Sequence, residues 1–390
     1  MSDLEHILPL WRELEAASAE YVLATVVKVE GSSYRKPGAC MLVAADGRRA
    51  GTVSGGCLEA EVAQRAFWLT ANGPVVQRYS NVEEDGDLPY GSGCGGVVYL
   101  LLERRSTAGS LLLELDNAFK KRHPMAVATI LTGPQLGLRA FSVPVPEKDD
   151  NRQDAIDTVP TAESPLHDFA EIALDTRASI ETMGSIQDLE VHVWANYRPA
   201  RPGLWIFGAG DDAQPLHRQA RELGWFVSVA DGRSQLSSHE RFPLADQVCV
   251  LPMTQPLGDQ PLGPLTIFNA LHPSDAAVVM THSFEQDARI LSSLLSCDMP
   301  LAYIGILGPQ RRTRELLVHA AQILKISASE TGAQIEHWLS QLHAPMGLDL
   351  GAESPATIAL SVIAEIQKSL TEATALPLRQ VRTAPMKTPR

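Results

Sequence analysis

The sequence predicts an α/β protein with two domains: an N-terminal α+β domain followed by a Rossmann-like domain with a doubly wound parallel sheet. Three observations predict this fold class. The chain has 390 residues, more than one ordinary hydrophobic core accommodates. An apolar strand, a Gly-x-Gly turn, a helix and a second apolar strand follow one another over 204–231, which is typical of a nucleotide-binding half-unit. Strands and helices then alternate, which favours a parallel sheet.

Composition and charge restrict the class of protein further. Hydrophobic residues make up 45% of the chain and charged residues 20%, which suits a globular protein. The net charge of -13 disfavours a nucleic-acid partner, because phosphate backbones are bound mainly through Lys and Arg. An acidic N-terminus and the lack of a long apolar run indicate neither a signal peptide nor a membrane span, so we expect a cytoplasmic protein. The five cysteines are expected to be reduced thiols.

The N-terminal region predicts a mixture of helices and strands. Apolar residues at helical spacing over 3–19 indicate an opening helix with one buried face. Strands are expected where short apolar runs are bounded by turn residues, and Asp46-Gly47 marks a hairpin. The predicted strands are 21–29, 40–44, 50–53, 75–79, 97–102, 125–131, 138–143 and 189–197, and further helices are predicted at 58–69, 109–121 and 166–179.

We expect the first domain to cover 1–200 and the Rossmann-like domain to cover 201–370, joined by a stiff linker at 198–203. The segment 144–165 is polar, charged and proline-bearing, and we expect it to be mobile. The basic stretch 371–390 is expected to be a disordered tail. Within the second domain, strands are predicted at 248–251, 276–280 and 301–306, and Ser354 and Pro355 are expected to begin a helix as its N-cap and first residue.

Two cysteines lie in glycine-rich turns and are candidate reactive thiols. Cys57 follows Gly55 and Gly56 at the start of a predicted helix, and Cys94 lies in Gly91-Ser-Gly-Cys-Gly-Gly96. The positive end of a helix lowers the pKa of a nearby thiol, and thiolates bind soft metals or carry sulfur. The alternative is that both are small residues packed in tight turns, since no zinc-type spacing accompanies them.

Two basic stretches are candidate anion sites. Arg35 and Lys36 lie in a turn that ends at Gly38, and Arg311 and Arg312 crowd the start of a helix. Free backbone N–H groups at a helix start add to the charge of nearby arginines. In each case a solvated basic surface is the alternative.

The glycine turn of the second domain is a candidate nucleotide site. Gly208 allows a sharp turn, and Gly210 allows the backbone to approach a phosphate at the helix N-terminus. Asp231 ends the next strand, where a carboxylate accepts a hydrogen bond from a ribose hydroxyl. The alternative is that the glycines only serve the turn.

A further candidate site follows the strand at 276–280. His282 lies at the carboxyl end of that strand, the edge at which doubly wound sheets bind ligands, and Asp287 follows in the next helix. The two side chains are candidates for acid/base work. A hydrogen-bonded surface histidine is the alternative.

Taken together, these motifs resemble the XdhC/CoxI family of maturation proteins for molybdenum hydroxylases. The resemblance covers most of the chain outside 144–185 and the tail. Its motifs are Glu30-Gly-Ser-Ser-Tyr-Arg-Lys-Pro-Gly38, Ser54-Gly-Gly-Cys-Leu-Glu59, Tyr90-Gly-Ser-Gly-Cys-Gly-Gly96, Ile206-Phe-Gly-Ala-Gly210, Asp231-Gly-Arg233, Val279-Met-Thr-His282 with Asp287, Tyr303-Ile-Gly-Ile-Leu-Gly308, His343-Ala-Pro-Met-Gly-Leu-Asp349 and Glu353-Ser-Pro355.

The resemblance implies a chaperone that binds molybdenum cofactor, supports its sulfuration with a cysteine desulfurase, and delivers it to a xanthine dehydrogenase-type hydroxylase. It implies that Cys57 and Cys94 face the molybdenum or the sulfur. Cofactor contacts are expected at Arg35, Lys36, Gly55, Gly56, Gly208, Gly210, Asp231, Arg233, Arg311 and Arg312. No nucleic acid or membrane is expected as a partner, and a homodimer fits general precedent.

One departure from the family pattern concerns the nucleotide. The family often has His after the second glycine of the Rossmann turn, whereas this chain has Asp211 and Asp212. Carboxylates at this place repel a phosphate bound to the same amides.

Two rival functions stay open beside the chaperone: an NAD-dependent oxidoreductase that uses His282 and Asp287, and a nucleotide-sensing regulator without chemistry.

Overall fold

The computed structural model describes residues 2–56, 58–80, 96–144, 165–186, 189–251, 270–297 and 300–381. Contacts between Cα atoms divide the chain into two compact units, Met1–Arg201 and Pro202–Arg390. None of the helices in the described ranges is long and apolar enough to cross a membrane.

The first unit contains a five-stranded antiparallel sheet. Its strands are β1 (Tyr21–Glu30), β2 (Cys40–Ala44), β3 (Arg49–Gly51), β4 (Val75–Ser80) and β5 (Val97–Arg104), in the order β3-β2-β1-β5-β4. Three helices accompany the sheet: α1 (Ser2–Ala16), α2 (Glu59–Leu69) and α3 (Arg105–Lys121). The sheet is covered on both faces because β1 is apolar on both. Tyr21 and Leu23 pack with α1 and α3, whereas Val22 and Ala24 pack with α2.

A second, four-stranded antiparallel sheet belongs to the same unit. Its strands are β6 (Met125–Ile130), β7 (Arg139–Ser142), β8 (Ile180–Ile186) and β9 (Leu189–Arg198), in the order β7-β6-β9-β8. Alternate residues of β9 point to opposite faces. Val193 and Ala195 pack against helix α4 (Pro165–Asp175), and Trp194 packs with Val27 of β1.

A buried ion pair links the two sheets. Arg139 on β7 donates to Glu103 on β5 at 2.5 Å, and both side chains are almost fully buried. Arg139 also donates to the backbone carbonyl of Thr107 at 2.8 Å. Because a buried charge is costly without its partner, the two residues depend on each other.

The second unit is a doubly wound parallel sheet. Its strands are β10 (Gly203–Phe207), β11 (Phe226–Asp231), β12 (Gln247–Val250), β13 (Ala276–Val279) and β14 (Tyr303–Ile306), in the order β12-β11-β10-β13-β14. The helices are α5 (Ala213–Glu222), α6 (Phe284–Leu295), α7 (Gln310–Ile323), α8 (Ala328–Gln341), α9 (Pro355–Thr371) and α10 (Leu378–Val381). Apolar residues of β10 alternate between a core shared with α5 and α9 and a core shared with α6.

The strand order places the ligand crevice expected for such a sheet. The chain leaves β10 towards β11 on one side and later returns to β13 on the other. In open α/β sheets the crevice forms at the carboxyl ends of the strands where the order reverses. Here this point lies between the turn after Phe207 and the turn after Val279.

The fold class predicted from the sequence is confirmed. Ser354 caps α9 through a capping box with Thr357, and Pro355 is the first helical residue, as expected. Helix α3 begins at Arg105 rather than near Gly109, and β8 and α8 were not predicted. Most of the segment predicted to be mobile, residues 145–164, lies outside the described residues, as do residues 382–390 of the predicted disordered tail.

Candidate functional sites

A cationic cleft lies in the first unit between the turn after β1 and strand β9. Its volume is about 390 Å³, which lies in the range of small-molecule sites. Arg35 and Lys36, the residues of one predicted anion site, line it together with Arg198, Asn196 and Asp3. Three cations face one carboxylate, so the cleft is positively charged overall.

The cations of the cleft differ in how they are held. Arg35 donates to the carboxylate of Asp3, and its Nε atom is buried without a hydrogen-bond partner within the described residues. Arg198 donates to the backbone carbonyl of Gly38 at 3.0 Å and contacts Cys40 Sγ at 3.5 Å. Lys36 is exposed, so its ammonium group is available to a bound anion.

Gly38 brings the turn close to β9. Its φ of +97° favours glycine, and a Cβ atom there would lie 3.0 Å from Asn196 Nδ2. Asn196 and Arg198 were not identified from the sequence. Their alternation with Tyr197 at the end of a predicted strand is the signal that places two polar residues on one face.

The turn before α2 is held by a buried carboxylate. Glu59 accepts hydrogen bonds from the backbone N–H of Ser54 at 2.9 Å, that of Val53 at 3.2 Å, and the Ser54 hydroxyl at 2.6 Å. Ser54 Oγ in turn accepts from the N–H groups of Gly56 at 3.3 Å and Leu58 at 3.0 Å. Burial alone would raise the pKa of Glu59, but these hydrogen bonds outweigh it and hold the pKa below its usual value.

Both predicted reactive cysteines, Cys57 and Cys94, lie outside the described residues. Of the glycines beside Cys57, Gly55 lies against the exposed ring of Tyr34: a Cβ atom on Gly55 would be 3.4 Å from that ring. Across the ranges that the structure describes, no group of three or more His, Cys, Asp or Glu side chains is arranged to hold a metal ion. The roles of both cysteines stay predictions.

In the second unit, the carboxylate of Asp231, at the end of β11, accepts a hydrogen bond from the backbone of the glycine turn after β10. Asp231 Oδ2 accepts from the backbone N–H of Ala209 at 2.8 Å and from Arg233 Nη2 at 2.7 Å. Asp231 Oδ1 accepts from the backbone N–H and Nε of Arg233 at 2.9 and 3.0 Å. Burial alone would raise the pKa of Asp231, but Arg233 and the Ala209 amide hold it below its usual value. In this arrangement neither the Ala209 amide nor the Asp231 carboxylate is free to bind a nucleotide.

The two glycines of this turn have different neighbours. Gly208 has a φ of +133°, and a Cβ atom there would clash with the carbonyl oxygen of Met280. Only glycine allows this contact between the two turns. A Cβ atom on Gly210 would meet the side chain of Asp212 at 2.5 Å. Packing therefore explains Gly208, whereas the contact at Gly210 is with the end of a side chain that can move. The predicted role of both glycines in phosphate binding stays a prediction.

The acidic residues at the start of α5 are partly paired. Asp212 Oδ2 lies 3.0 Å from His282 Nε2, and Asp211 accepts from Arg241 at 2.8 Å. His282 has a φ of +64°, an uncommon conformation for a residue with a side chain. The Asp212–His282 pair thus occupies the place where a dinucleotide phosphate would meet the helix start.

Asp287, the predicted partner of His282, forms its hydrogen bonds with Thr281 and Arg312 instead. Asp287 is fully buried and accepts from the backbone N–H and hydroxyl of Thr281 at 3.0 and 2.5 Å. Its other oxygen accepts from Arg312 at 2.5 Å. The structure therefore pairs His282 with Asp212, while Asp287 ties α6 to the start of α7.

Arg311 and Arg312, predicted as one anion site, point to different surroundings. Arg312 lies against Asp287 and donates to the carbonyl of Leu307 at 3.4 Å. Arg311 is 91% exposed and pairs with Glu315 at 3.0 Å along the helix. Their side chains do not converge on one point.

A partly buried acid in α9, Glu365, organises the segment after α8. Glu365 accepts from the Tyr303 hydroxyl at 2.7 Å and the Gly347 amide at 2.6 Å, and contacts His343 Nδ1 at 3.0 Å. The rings of Tyr303 and His343 stack with centroids 4.2 Å apart. The sequence offered the His343-to-Asp349 motif but no sign of its partner, which lies sixteen residues beyond Asp349.

The fold and sites describe a protein whose antiparallel α+β unit, with a cationic cleft, precedes a Rossmann unit. The XdhC and CoxI family model matches residues 14–80, and the XdhC Rossmann domain model matches residues 204–366. A protein of Bacillus subtilis (strain 168), named as a probable xanthine dehydrogenase subunit, is 34% identical over 351 residues, which cover 89% of this chain and 92% of that protein. The chain belongs to the XdhC and CoxI family.

Two further similarities cover most of the chain. The "Molybdenum cofactor insertion chaperone PaoD" of Escherichia coli (strain K12) is 25% identical over 354 residues, or 88% of this chain and 82% of that relative. A crystal structure described as a xanthine dehydrogenase from Bacillus halodurans is 28% identical. It matches with a TM-score of 0.65 over 98% of this chain and 100% of that one.

Proposed function

We propose that this protein is a maturation chaperone that binds molybdenum cofactor, supports its sulfuration and delivers it to a xanthine dehydrogenase-type hydroxylase. The observation that carries the proposal is the similarity, over 88% of the chain, to the relative named as a molybdenum cofactor insertion chaperone. The relatives named for xanthine dehydrogenase support the class of the receiving enzyme. A cysteine desulfurase in the cytoplasm would supply the sulfur.

The cleft of the first unit suits the organic part of this cofactor, a pterin dithiolene with a terminal phosphate. Lys36 and Arg198 bring positive charge to the cleft, and charge-assisted hydrogen bonds to phosphate are strong. The Arg35 Nε atom has no hydrogen-bond partner among the described residues, and a polar ligand atom would satisfy it. When bound, the cofactor supplies the molybdenum centre that the hydroxylase needs.

The turn around Cys57 is the proposed point of contact with molybdenum or sulfur. Ser54, itself held by Glu59, accepts hydrogen bonds from the backbone N–H groups of Gly56 and Leu58, the neighbours of this residue in the sequence. Thiolates are suitable ligands for soft metals. Cys94 is the second candidate for this role.

The proposal is tested by deleting the protein and assaying the receiving hydroxylase. We expect the hydroxylase to accumulate with little activity and without its full sulfido ligand. Full activity and a full sulfido ligand in the deletion strain would show that the proposal is wrong.

A second experiment concerns the residues that hold the cofactor. After coexpression with cofactor synthesis, the pterin and molybdenum that copurify are measured for the wild type, Lys36→Ala, Cys57→Ser and Cys94→Ser. Lys121→Ala is the matched control, because Lys121 is an exposed lysine of the same unit that does not line the cleft. We expect cofactor retention to fall in the three test variants and to stay unchanged in the control. Unchanged retention in Cys57→Ser and Cys94→Ser would assign both cysteines to packing.

A further inference from the structure

Asn196 has a buried side chain whose polar atoms are unused. The residue is only 5% exposed, and its carboxamide makes no hydrogen bond to any residue that the structure describes. Neither Nδ2 nor Oδ1 belongs to the fully buried side-chain atoms that lack a partner, so both atoms are open to the cleft. Such a group therefore points to a ligand that supplies the missing partners.

The side chain of Asn196 faces the cationic cleft. It is among the residues that line the cleft. Strand β9 is paired on both sides, with Asn196 opposite Val127 of β6 and the adjacent Ala195 opposite Ile180 of β8. Its Nδ2 atom lies over Gly38, where a Cβ atom would reach 3.0 Å. Pairing on both sides thus fixes the backbone from which this side chain reaches the cleft.

The charges around Asn196 specify the rest of the ligand. Asp3 offsets the charge of Arg35, so the cleft keeps the positive charge of Lys36 and Arg198. An anionic group is favoured beside these two side chains. The neighbouring carboxamide offers one donor and one acceptor side by side. The complementary ligand is an anion attached to a group with an adjacent donor and acceptor.

We propose that Asn196 is a recognition residue that pairs with the aminopyrimidinone edge of an anionic pterin, whose N–H and C=O groups lie next to each other. This inference deepens the proposed function, on which the choice of a pterin over other heterocycles rests. The pterin ring lies against Asn196 and Gly38, and its anionic substituent lies towards Lys36 and Arg198. Lys36 supplies charge, and Asn196 selects the heterocycle.

The test is a titration of the full-length protein with pterin-6-carboxylate, followed by the fluorescence of the pterin. The near-isosteric Asn196→Leu variant is expected to bind at least about tenfold more weakly, because both hydrogen bonds are lost. Asn117→Leu replaces an exposed asparagine of the same unit and is expected to bind like the wild type. Thermal unfolding of each variant checks that the fold is retained.

A second variant keeps the test decisive should Asn196→Leu fail to fold. Asn196→Asp places two acceptors opposite the ligand, which match the ring N–H and the amino group of pterin-6-carboxylate. Lumazine-6-carboxylate has a carbonyl in place of that amino group. The wild type is expected to bind both compounds with similar Kd values, and Asn196→Asp is expected to prefer the pterin several-fold. The absence of this change in preference would overturn the assignment of Asn196.

The pterin titration and the deletion experiment can fail independently of each other. Equal affinity of the wild type and a folded Asn196→Leu variant for pterin-6-carboxylate overturns the inference, as does no binding by the wild type. Either result leaves the deletion experiment unaffected. Conversely, a hydroxylase that is fully active in the deletion strain refutes the chaperone function even when pterin binding depends on Asn196.

Discussion

The carboxylate of Asp231 accepts a hydrogen bond from the backbone N–H of Ala209 at 2.8 Å. In a dinucleotide-binding domain, the turn that contains this amide faces the pyrophosphate, and the acid at the end of the second strand faces the ribose. Here the two groups bind each other. The turn therefore retains the geometry of a Rossmann unit, while the two groups that face the nucleotide in a dinucleotide-binding domain are already paired with each other.

The first prediction is that NADH binds this protein weakly, with no affinity in the micromolar range. A phosphate at the start of α5 would meet the charges of Asp211 and Asp212, and it would have to displace Asp231 from Ala209. Calorimetric titration with NADH measures this affinity. Asp212→Asn removes one repelling charge and is expected to bind more tightly than the wild type. Micromolar binding by the wild type, together with hydride transfer to a substrate, would instead favour an oxidoreductase.

The second prediction concerns the stability of the second unit. Asp231→Ala removes the acceptor of four hydrogen bonds and is expected to lower the free energy of unfolding by about 2 kcal/mol or more, because hydrogen bonds to charged groups are strong. Asp211→Ala is the control, since that side chain is largely exposed and exposed pairs contribute little. Chemical denaturation followed by circular dichroism measures the difference. Equal stability of the two variants would contradict the assigned role of Asp231.

The third prediction concerns the buried pair between the two sheets of the first unit. Arg139→Met leaves Glu103 buried without its partner and is expected to cost about 3–5 kcal/mol. The double variant Glu103→Leu with Arg139→Met removes both charges and is expected to recover most of this loss. The denaturation midpoints of the wild type, Arg139→Met and the double variant measure these differences in stability. A double variant that is less stable than Arg139→Met would show that the pair is not the source of the effect.

The fourth prediction is a pH dependence that arises from Glu365. Burial alone would raise the pKa of this group, but the Gly347 amide, the Tyr303 hydroxyl and His343 outweigh burial and hold the pKa below its usual 4.5. Because the pKa is lower in the folded state, the ionised group stabilises the fold above about pH 4.5, and this stability is lost as the pH falls through the lower, folded value. The difference in unfolding free energy between the wild type and Glu365→Gln should therefore be largest at neutral pH and shrink in acid. A difference that does not vary with pH would exclude Glu365 as its cause.

The sequence predicted the elements whose signals are local. The apolar strands of the second unit, the Ser354 cap and the hairpin around Asp46-Gly47 each follow from a few adjacent residues. By contrast, β8 alternates between exposed and half-buried residues and contains Gly184. Its strand conformation depends on pairing with β9, which a local pattern does not reveal.

The candidate sites were predictable only in part, for a related reason. Arg35 and Lys36 belong to one turn and were identified together, whereas Asn196 reaches the same cleft from a strand 160 residues further along the chain. The pairing of His282 with Asp212 rather than Asp287 depends on which turns meet at the sheet edge. Such contacts are set by tertiary packing, and the spacing of residues in the sequence does not determine them.

Because residues of β9 alternate between two faces, the lining of the cleft depends on the register of this strand. Ala195 faces the α4 core and Asn196 faces the cleft, so a slip of one position would exchange their environments. A one-residue deletion just before Val193 would put the asparagine amide in the place of Ala195, among the apolar side chains of the α4 core, and would put Tyr197 in the place that faces the cleft. Residues 145–164 precede α4 in the chain, so the length of this connection can change without altering the register of β9. Insertions should therefore be tolerated between β7 and α4 far better than within β9.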